Sequence, residues 1–130
     1  MTKVRTLRDS ELMPEGFATG FEKMPVMREW CWIAEEDGKP VGILIAAPCH
    51  GIVYLMRLCT KDGHSADVFL LLRHFFADTR ARGFMGYMLH VDPTRPVESK
   101  LIGLCRKAGA IQVTVPQVAL VGFLKDAGRF

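Results

Sequence analysis

Residues 30–58 constrain the fold most strongly, because they contain runs of strand-forming residues separated by short turns. The first turn is Asp37-Gly38, and an Asp-Gly pair between two apolar runs is a strong signal for a tight β-hairpin. The second turn, Pro48-Cys49-His50-Gly51, combines residues that break regular structure. The runs are residues 30–35, 40–47 and 52–58. The pattern predicts three consecutive antiparallel strands.

The hydrophobic period then changes from that of a strand to that of a helix. Residues spaced by three and four fall on one helical face, namely Val68, Leu71, Leu72, Phe75, Phe76 and Thr79. Ser65 is a suitable N-cap, and Gly83 is a suitable residue to follow the helix C-terminus. We therefore predict a helix between Ser65 and Gly83.

The remaining predicted elements are short. We expect strands at residues 3–7, 85–91, 111–115 and 117–123, a short helical region after the first strand, and a helix from Pro96 to Gly109. The order β-(α)-βββ-α-β-α-ββ is that of an α+β protein with helices packed on a mostly antiparallel sheet. Because the chain contains no repeat and no linker-like stretch, residues 1–130 are predicted to form a single domain.

Composition and charge argue against several classes of protein. The net charge is +3 and the Lys and Arg residues are scattered, so no specific nucleic-acid partner is expected. The longest apolar stretch, residues 41–58, is interrupted by a turn and by Arg57, so no membrane span is expected. The N-terminus lacks the apolar core of a signal peptide, and the four cysteines lack the spacing of a zinc site. These features predict a cytoplasmic protein without a metal.

A short polar loop, residues 59–66, connects the third strand of the meander to the predicted helix. Backbone N–H groups at the start of a helix have no intrahelical partner, and the helix dipole is positive there. Such a loop is a ready site for a phosphate or pyrophosphate group. The sequence therefore favours an anionic ligand at this position, with a simple turn as the alternative.

Three segments follow one another in a recognisable order. They are the strand and turn at residues 3–12, the hairpin ending in a Val-Gly pair at residues 34–42, and Leu104-Cys105-Arg106-Lys107-Ala108-Gly109 at the end of the second helix. In this order they resemble the GNAT superfamily of acyl-CoA-dependent N-acyltransferases, over most of the chain. The resemblance implies a GNAT-like sheet with helices on both faces and a V-shaped gap between strands 51–58 and 85–91. In the family, the pantetheine arm of acyl-CoA enters this gap.

The resemblance also implies a cofactor site. The family's pyrophosphate loop reads Gln/Arg-x-x-Gly-x-Gly/Ala, and the matching positions here are Thr60, Gly63 and Ser65. Of the family's conserved residues in this loop, only the central glycine is kept. Binding of the pyrophosphate by backbone N–H groups does not depend on the identity of the side chains. The cosubstrate implied is acetyl-CoA. The residues expected to contact it are Met56, Leu58, Thr60, Lys61, Gly63, His64, Ser65 and Ala66.

Acyl transfer to an amine needs a polarised carbonyl, a base for the amine and a proton for the leaving sulfur. A backbone N–H near residues 56–58 can polarise the carbonyl. His90 and Glu98 are the candidate bases, and Tyr87 is a candidate acid. Cys105 stands where many family members have the tyrosine that protonates the thiolate of CoA. Each of these side chains also has an ordinary structural role as its alternative.

Two functions are compatible with these features. The first is acetyl transfer from acetyl-CoA to an amine of a small molecule, a peptide or a protein. The alternative is a catalytically inactive GNAT-fold binding or structural protein, associated with a virion, because small phage-encoded proteins resemble this chain in size. In that alternative, exposed aromatic residues would form a surface for a homo-oligomer or a larger assembly, and the candidates are Phe17, Phe21, Trp30 and Trp32.

Overall fold

The computed structural model describes residues 1–17, 27–91, 94–107 and 109–110. In chain order, its elements are β1 (Lys3–Thr6), a 3-10 turn (Arg28–Trp30), β2 (Cys31–Glu36), β3 (Lys39–Cys49), β4 (Ile52–Thr60), α1 (Asp67–Ala81), β5 (Gly86–Leu89) and α2 (Pro96–Lys107). The chain divides into two units, Met1–His90 and Val91–Phe130, so all five strands and α1 belong to the first and α2 to the second. The single domain expected from the sequence stays a prediction.

The five strands form one sheet in the order β1-β2-β3-β4-β5. The pairs β1–β2, β2–β3 and β3–β4 are antiparallel, whereas β4 and β5 are parallel. A parallel pair needs a crossover connection, and α1 supplies it. The β2–β3 hairpin turns through Asp37 and Gly38, whose φ angles of 52° and 76° are both left-handed, as a type I′ turn requires. The predicted meander and the α+β class are confirmed.

Helix α1 begins later than predicted. Ala66 is the N-cap, and no side chain caps the helix. Ser65 lies in the turn before the cap, where its carbonyl accepts a hydrogen bond from the Val68 N–H at 3.3 Å. The prediction that Ser65 is the N-cap is therefore wrong, because a tight lead-in turn precedes the regular helix. None of the helices in the described part of the chain is long and apolar enough to cross a bilayer.

The C-terminus of α1 agrees with the prediction. Gly83 has a φ of 89°, a left-handed conformation that glycine adopts without strain. Its N–H bonds to the Arg80 carbonyl at 3.0 Å, and the Phe84 N–H bonds to the Thr79 carbonyl at 3.3 Å. This pair of bonds is a Schellman motif, so the helix ends at Gly83 as expected.

The predicted helical region after β1 is not seen in its described part. Residues 8–17 contain turns and bends but no helix, because Pro14 and Gly16 interrupt any helical run. The rest of that region, residues 18–26, lies outside the described residues. The closing strands predicted at residues 111–115 and 117–123 also lie outside them.

Helix α1 packs on one face of the sheet through large apolar side chains. Trp32 of β2 and Phe75 of α1 are both buried, and their rings meet edge to face with centroids 5.4 Å apart. The Trp32 Nε1–H donates a 2.7 Å hydrogen bond to Asp78 Oδ2, which satisfies the indole. The Arg82 guanidinium lies 4.5 Å from the centroid of the Trp30 ring. These contacts hold the C-terminal half of α1 against β2.

The segment after β1 covers part of the opposite face. A buried cluster consists of Leu7, Phe17, Cys31, Ile33, Ile43 and Ile45. Phe17 and the two tryptophans are therefore buried, with Trp30 6% and Trp32 1% exposed. The expected aromatic association surface is wrong for these residues, because Phe17 enters this cluster and the tryptophans pack beside α1. Phe21 lies outside the described residues.

Gly42 of β3 lies beneath α1 and beside the end of β4. A Cβ at this position would lie 3.0 Å from Leu71 Cδ1 and 3.1 Å from Thr60 Cγ2. Both distances are shorter than ordinary van der Waals contacts. The absence of a side chain at Gly42 therefore lets α1 approach the sheet next to the loop that precedes the helix.

Arg5 joins β1 to two other segments. Its guanidinium donates to Glu11 Oε1 and Oε2 at 2.7 Å each, and to Glu35 Oε1 at 2.7 Å. The Arg8 N–H also donates to Glu11, at 2.8 Å. The hydrogen bonds from Arg5 lower the pKa of the Glu11 carboxyl to about 2. This cluster fastens the chain that follows β1 to the edge of the sheet.

Gly42→Ala is expected to lower the free energy of unfolding by about 1–3 kcal/mol, because the added methyl group overpacks the contact between Leu71 and Thr60. Urea denaturation measures the change. The matched control is Gly103→Ala in α2, where no atom of the described residues, apart from the adjoining backbone of α2, lies within 4 Å of the added Cβ. This control should stabilise the protein by about 0.5–1 kcal/mol, since alanine favours a helix interior over glycine. Equal effects of the two substitutions would contradict the packing role of Gly42.

The Glu11 cluster predicts a loss of stability in acid. Because the folded pKa of Glu11 lies below its unfolded value, its contribution is present above about pH 4.5 and is lost as the pH falls towards 2. Allowing for solvent screening at this partly exposed site, the loss should be about 1 kcal/mol. Urea denaturation between pH 7 and pH 2 should show a shallower acid slope for Glu11→Gln than for the wild type. Glu15→Gln, which removes an exposed carboxylate of the same segment, should keep the wild-type slope.

Candidate functional site

The pairing between β4 and β5 is short. Their parallel register begins at Ile52 with Gly86 and ends at Leu55 with Leu89. Strand β4 continues to Thr60, and no described strand pairs with it beyond Leu55 on that side. The pairing therefore ends in the region where the family resemblance places a gap between these two strands. The gap itself stays a prediction.

A β-bulge marks the point where the pairing ends. Ile45 of β3 pairs with Arg57, but the next residue, Ala46, pairs with Leu55, so Met56 is the extra residue of β4. A bulge bends its strand and changes the direction of the local side chains and backbone groups. Met56 is 40% exposed. The bulge thus places Met56 where the pairing with β5 ends, which is where a carbonyl-binding N–H was expected.

Tyr87 and His90 lie on opposite faces of the sheet. The Tyr87 ring packs on Phe76 of α1, with centroids 4.7 Å apart. Side chains alternate along a strand, so Met88, which pairs with Tyr54, lies on the face away from α1. His90 is on that face too, because its Nδ1 lies 3.0 Å from Tyr54 Oη. The structure does not bring Tyr87 and His90 together.

Tyr54 is a polar residue of this site that the sequence analysis did not select. A tyrosine in a strand is an ordinary aromatic residue, and the sequence pattern alone gives it no partner. The signal that could have found it is the expected pairing of these two strands, since Tyr54 and His90 fall within the residues predicted for them, 52–58 and 85–91. Only the register of the parallel pair, Tyr54 with Met88, puts the phenol beside the imidazole.

The β4–α1 loop, residues 61–66, is shaped by backbone hydrogen bonds. The Lys61 N–H donates to the Val41 carbonyl at 2.9 Å, and the His64 N–H donates to the Lys61 carbonyl at 3.0 Å. Gly63 has a φ of 81°, which few residues other than glycine adopt without strain. Within the part of the chain that the structure describes, the N–H groups of Gly63, Ser65 and Ala66 make no hydrogen bond. These donors and the positive end of the α1 dipole suit an anion.

The charged side chains of the β4–α1 loop contact other parts of the protein. Lys61 Nζ lies 5.5 Å from the centroid of the Phe17 ring. His64 Nδ1 lies 3.0 Å from Asp67 Oδ2 and 3.6 Å from Glu36 Oε2. A protonated His64 would therefore offset two carboxylates close to the loop. Anion binding here depends on backbone donors more than on side-chain charge.

The second unit holds the other two predicted catalytic residues. Glu98 lies in the first turn of α2, and its Oε2 is buried, with Arg95 Nε at 3.7 Å. Cys105 is buried near the end of α2, and Gly109, with a φ of 93°, follows the helix as predicted. The catalytic roles of Glu98 and Cys105, like those of Tyr87 and His90, stay predictions.

Burial raises the pKa of the Cys31 thiol to about 12, so this cysteine stays protonated at neutral pH and is a poor nucleophile. The described ranges contain no group of three or more His, Cys, Asp or Glu side chains placed to hold a metal ion.

The sequence matches no protein-family model and no curated protein. Solved structures do match the fold. The ribosomal-protein-S18-alanine N-acetyltransferase of Escherichia coli is 14% identical with a TM-score of 0.65, and the match covers 88% of this chain and 80% of that chain.

Two further matching structures are acetyltransferases solved in complex with small molecules. An aminoglycoside acetyltransferase from an uncultured soil metagenomic sample, in complex with sisomicin, is 12% identical with a TM-score of 0.60, over 93% of this chain and 97% of that chain. The diaminobutyrate acetyltransferase of Paenibacillus lautus, in complex with diaminobutyric acid and coenzyme A, is 16% identical with a TM-score of 0.54. That match covers 62% of this chain and 52% of the enzyme, so this chain spans about half of its length. The three matches are GNAT N-acetyltransferases, and at these low identities they establish that this chain has the GNAT acyltransferase fold.

Proposed function

We propose that this chain is an acyl-CoA-dependent N-acyltransferase that transfers an acetyl group from acetyl-CoA to an amine. The observation that carries the proposal is the position of the β4–α1 loop. Its unpaired N–H groups follow directly from β4, at the end of the strand that does not pair with β5. In a GNAT fold, the loop would then serve as an anion site and the neighbouring gap would hold the rest of the same ligand.

The residues of the loop fit a pyrophosphate group. The N–H groups of Gly63, Ser65 and Ala66 would donate to it, and the α1 dipole would add favourable charge. Thr60, at the family's Gln or Arg position, would supply a hydroxyl donor instead of an amide or a guanidinium. Lys61 would add positive charge at the rim of the loop, whereas the His64 ring lies beside the carboxylates of Asp67 and Glu36. The orphan backbone donors are the strongest part of this fit, since they need no particular side chain.

The open edge of β4 would hold the rest of acetyl-CoA. Past the last paired residue, Leu55, the strand's N–H and C=O groups can pair with the amides of an extended ligand in the manner of an added strand. The backbone from Met56 to Leu58 would direct an N–H at the thioester carbonyl, where negative charge develops during transfer. Acetyl-CoA supplies an activated acetyl group, and the protein supplies position and proton transfer.

His90 is the residue of the first unit best placed to accept the amine proton. It directly follows β5, is exposed, and contacts the hydroxyl group of Tyr54. Glu98 is a second candidate base, since its buried Oε2 has no hydrogen bond among the described residues. Tyr87 or Cys105 would return a proton to the leaving thiolate, although the Tyr87 ring packs against α1.

The acceptor is proposed to be a primary amine. The matched enzymes are named for an N-terminal alanine of a ribosomal protein, an aminoglycoside and a diaminobutyrate. These names share the amino group and little else, so they support the reaction and not a particular acceptor. The proposal places the protein in the cytoplasm, where acetyl-CoA and such amines occur together.

An inactive binding or structural module is the second candidate function. The observation that favours it is a set of exposed apolar side chains in β4 and β5, with Met88 47%, Met56 40% and Ile52 38% exposed. Exposed apolar residues grouped on one part of a sheet are typical of a contact surface. This candidate predicts self-association without acetyl transfer.

Binding of acetyl-CoA tests the proposed function directly. At a free concentration 100-fold above its Kd, acetyl-CoA should stabilise the fold by about 2.7 kcal/mol. Calorimetric titration gives the Kd, and thermal denaturation gives the stabilisation, with ATP at equal concentration as the control for unspecific anion binding. Release of CoA thiol is then measured with an alanine-starting peptide, 2,4-diaminobutyrate and an aminoglycoside as acceptors. Absence of both heat and thermal shift with millimolar acetyl-CoA would contradict the proposal.

Ala66→Pro tests the role of the backbone donors. Ala66 has a φ of −67°, which proline matches, so the substitution removes one N–H donor at a position where proline is allowed. Because proline disfavours a helical conformation at the preceding Ser65, an unchanged thermal midpoint of Ala66→Pro is required before its Kd is compared. A lost hydrogen bond to a charged group should raise the Kd for acetyl-CoA by about 10-fold or more. Ala66→Ser keeps the N–H and is the matched control, with an expected Kd near that of the wild type. An unchanged Kd in Ala66→Pro would show that the phosphates bind elsewhere.

A further inference from the structure

We propose that Tyr54 carries the proton of the acceptor amine to His90, so that the phenol and not the imidazole contacts the amine. This role rests on the proposed acyltransferase function, and it assigns a catalytic residue that the sequence analysis did not select. The proposal starts from one contact, the 3.0 Å distance between Tyr54 Oη and His90 Nδ1.

The two side chains lie where the pairing of β4 with β5 ends. Tyr54 precedes Leu55, the last residue of β4 to pair with β5, and His90 directly follows the corresponding residue, Leu89. The bulge at Met56 comes next along β4. The two residues therefore flank the last paired position, Leu55 with Leu89, on the face of the sheet away from α1.

The contact determines which nitrogen of His90 is basic. A neutral imidazole has one N–H and one acceptor nitrogen. A phenol is the stronger acid and its oxygen the weaker acceptor, so the Tyr54 O–H donates to Nδ1 and the imidazole proton resides on Nε2. Nε2–H cannot accept a proton from an amine. The basic nitrogen of His90 is therefore Nδ1, and the Tyr54 hydroxyl group is hydrogen-bonded to it.

A proton can reach Nδ1 only through the hydroxyl group in this arrangement. As the amine nitrogen bonds to the thioester carbonyl carbon, the carbonyl oxygen takes up negative charge, the amine N–H bond breaks and its proton moves to Tyr54 Oη. The O–H bond that Tyr54 donated breaks in the same step, and that proton forms an N–H bond at His90 Nδ1. Tyrosine ends the step neutral, and His90 ends it as an imidazolium whose exposed ring returns a proton to water. The C–S bond breaks afterwards, and CoA leaves as the thiolate.

The kinetic test compares Tyr54→Phe, His90→Gln and the double variant in the thiol-release assay, with the best of the three amines. Tyr54→Phe keeps the ring against His90 and removes only the hydroxyl. Both single variants should lower kcat by about 10²–10³-fold, and the double variant should be no slower than either, because the two residues serve one proton transfer. The KM for acetyl-CoA and the thermal midpoint should stay close to those of the wild type.

The outcomes separate this role from the proposed function. A wild type that binds no acetyl-CoA, or that binds it and acetylates none of the three amines, overturns both. Turnover by the wild type with a Tyr54→Phe variant that is equally fast overturns the role of Tyr54 alone. ¹⁵N NMR of the His90 ring gives a second readout that is independent of turnover. Protonated Nε2 with bare Nδ1 is expected, and a proton on Nδ1 in the neutral wild type overturns the relay.

Discussion

The packing of α1 on the sheet is the interaction on which the rest of the first unit depends. Trp32, Phe75 and the Trp32–Asp78 hydrogen bond hold one end of the helix, and Gly42 leaves room for the other. Because α1 connects β4 to β5, its position makes these two strands parallel. The same position directs the helix N-terminus at the loop that leaves β4. The parallel β4–β5 pair and the position of the proposed anion site are both consequences of where one helix lies.

Local sequence signals predict the scaffold well. The Asp37-Gly38 turn, the change of period after residue 60 and the glycine at position 83 each act over a few residues, so a single sequence displays them. The start of α1 is harder to predict, since Ser65 satisfies the usual N-cap preference and yet lies in the turn before the cap. The burial of Phe17 could not be predicted from the sequence either, because Phe17 packs against residues of β2 and β3 that are distant in the chain.

The candidate site also has a part that the sequence predicts and a part that it does not. The β4–α1 loop is predictable because its donors are backbone groups placed by the preceding strand and the following helix. The side chains are not, since their directions depend on the register of two strands separated by a whole helix. Tyr87 turns towards α1 and His90 away from it. Strand alternation puts residues three apart on opposite faces, but which of the two faces meets the helix depends on packing. Tyr54 becomes a candidate only because the register of β4 with β5 places its hydroxyl group beside His90.

The hydrogen bonds of Arg5 have a consequence for the order of folding. The hairpins of β2, β3 and β4 close through two-residue turns, whereas Arg5 and Glu35 are 30 residues apart in the chain. Closing the longer loop costs more conformational entropy before any contact forms. The meander is therefore the natural nucleus, and β1 joins its edge afterwards. The two charge-assisted bonds from Arg5 to Glu35 at that late contact act mainly on the rate at which the edge opens, so Arg5 slows unfolding more than it speeds folding.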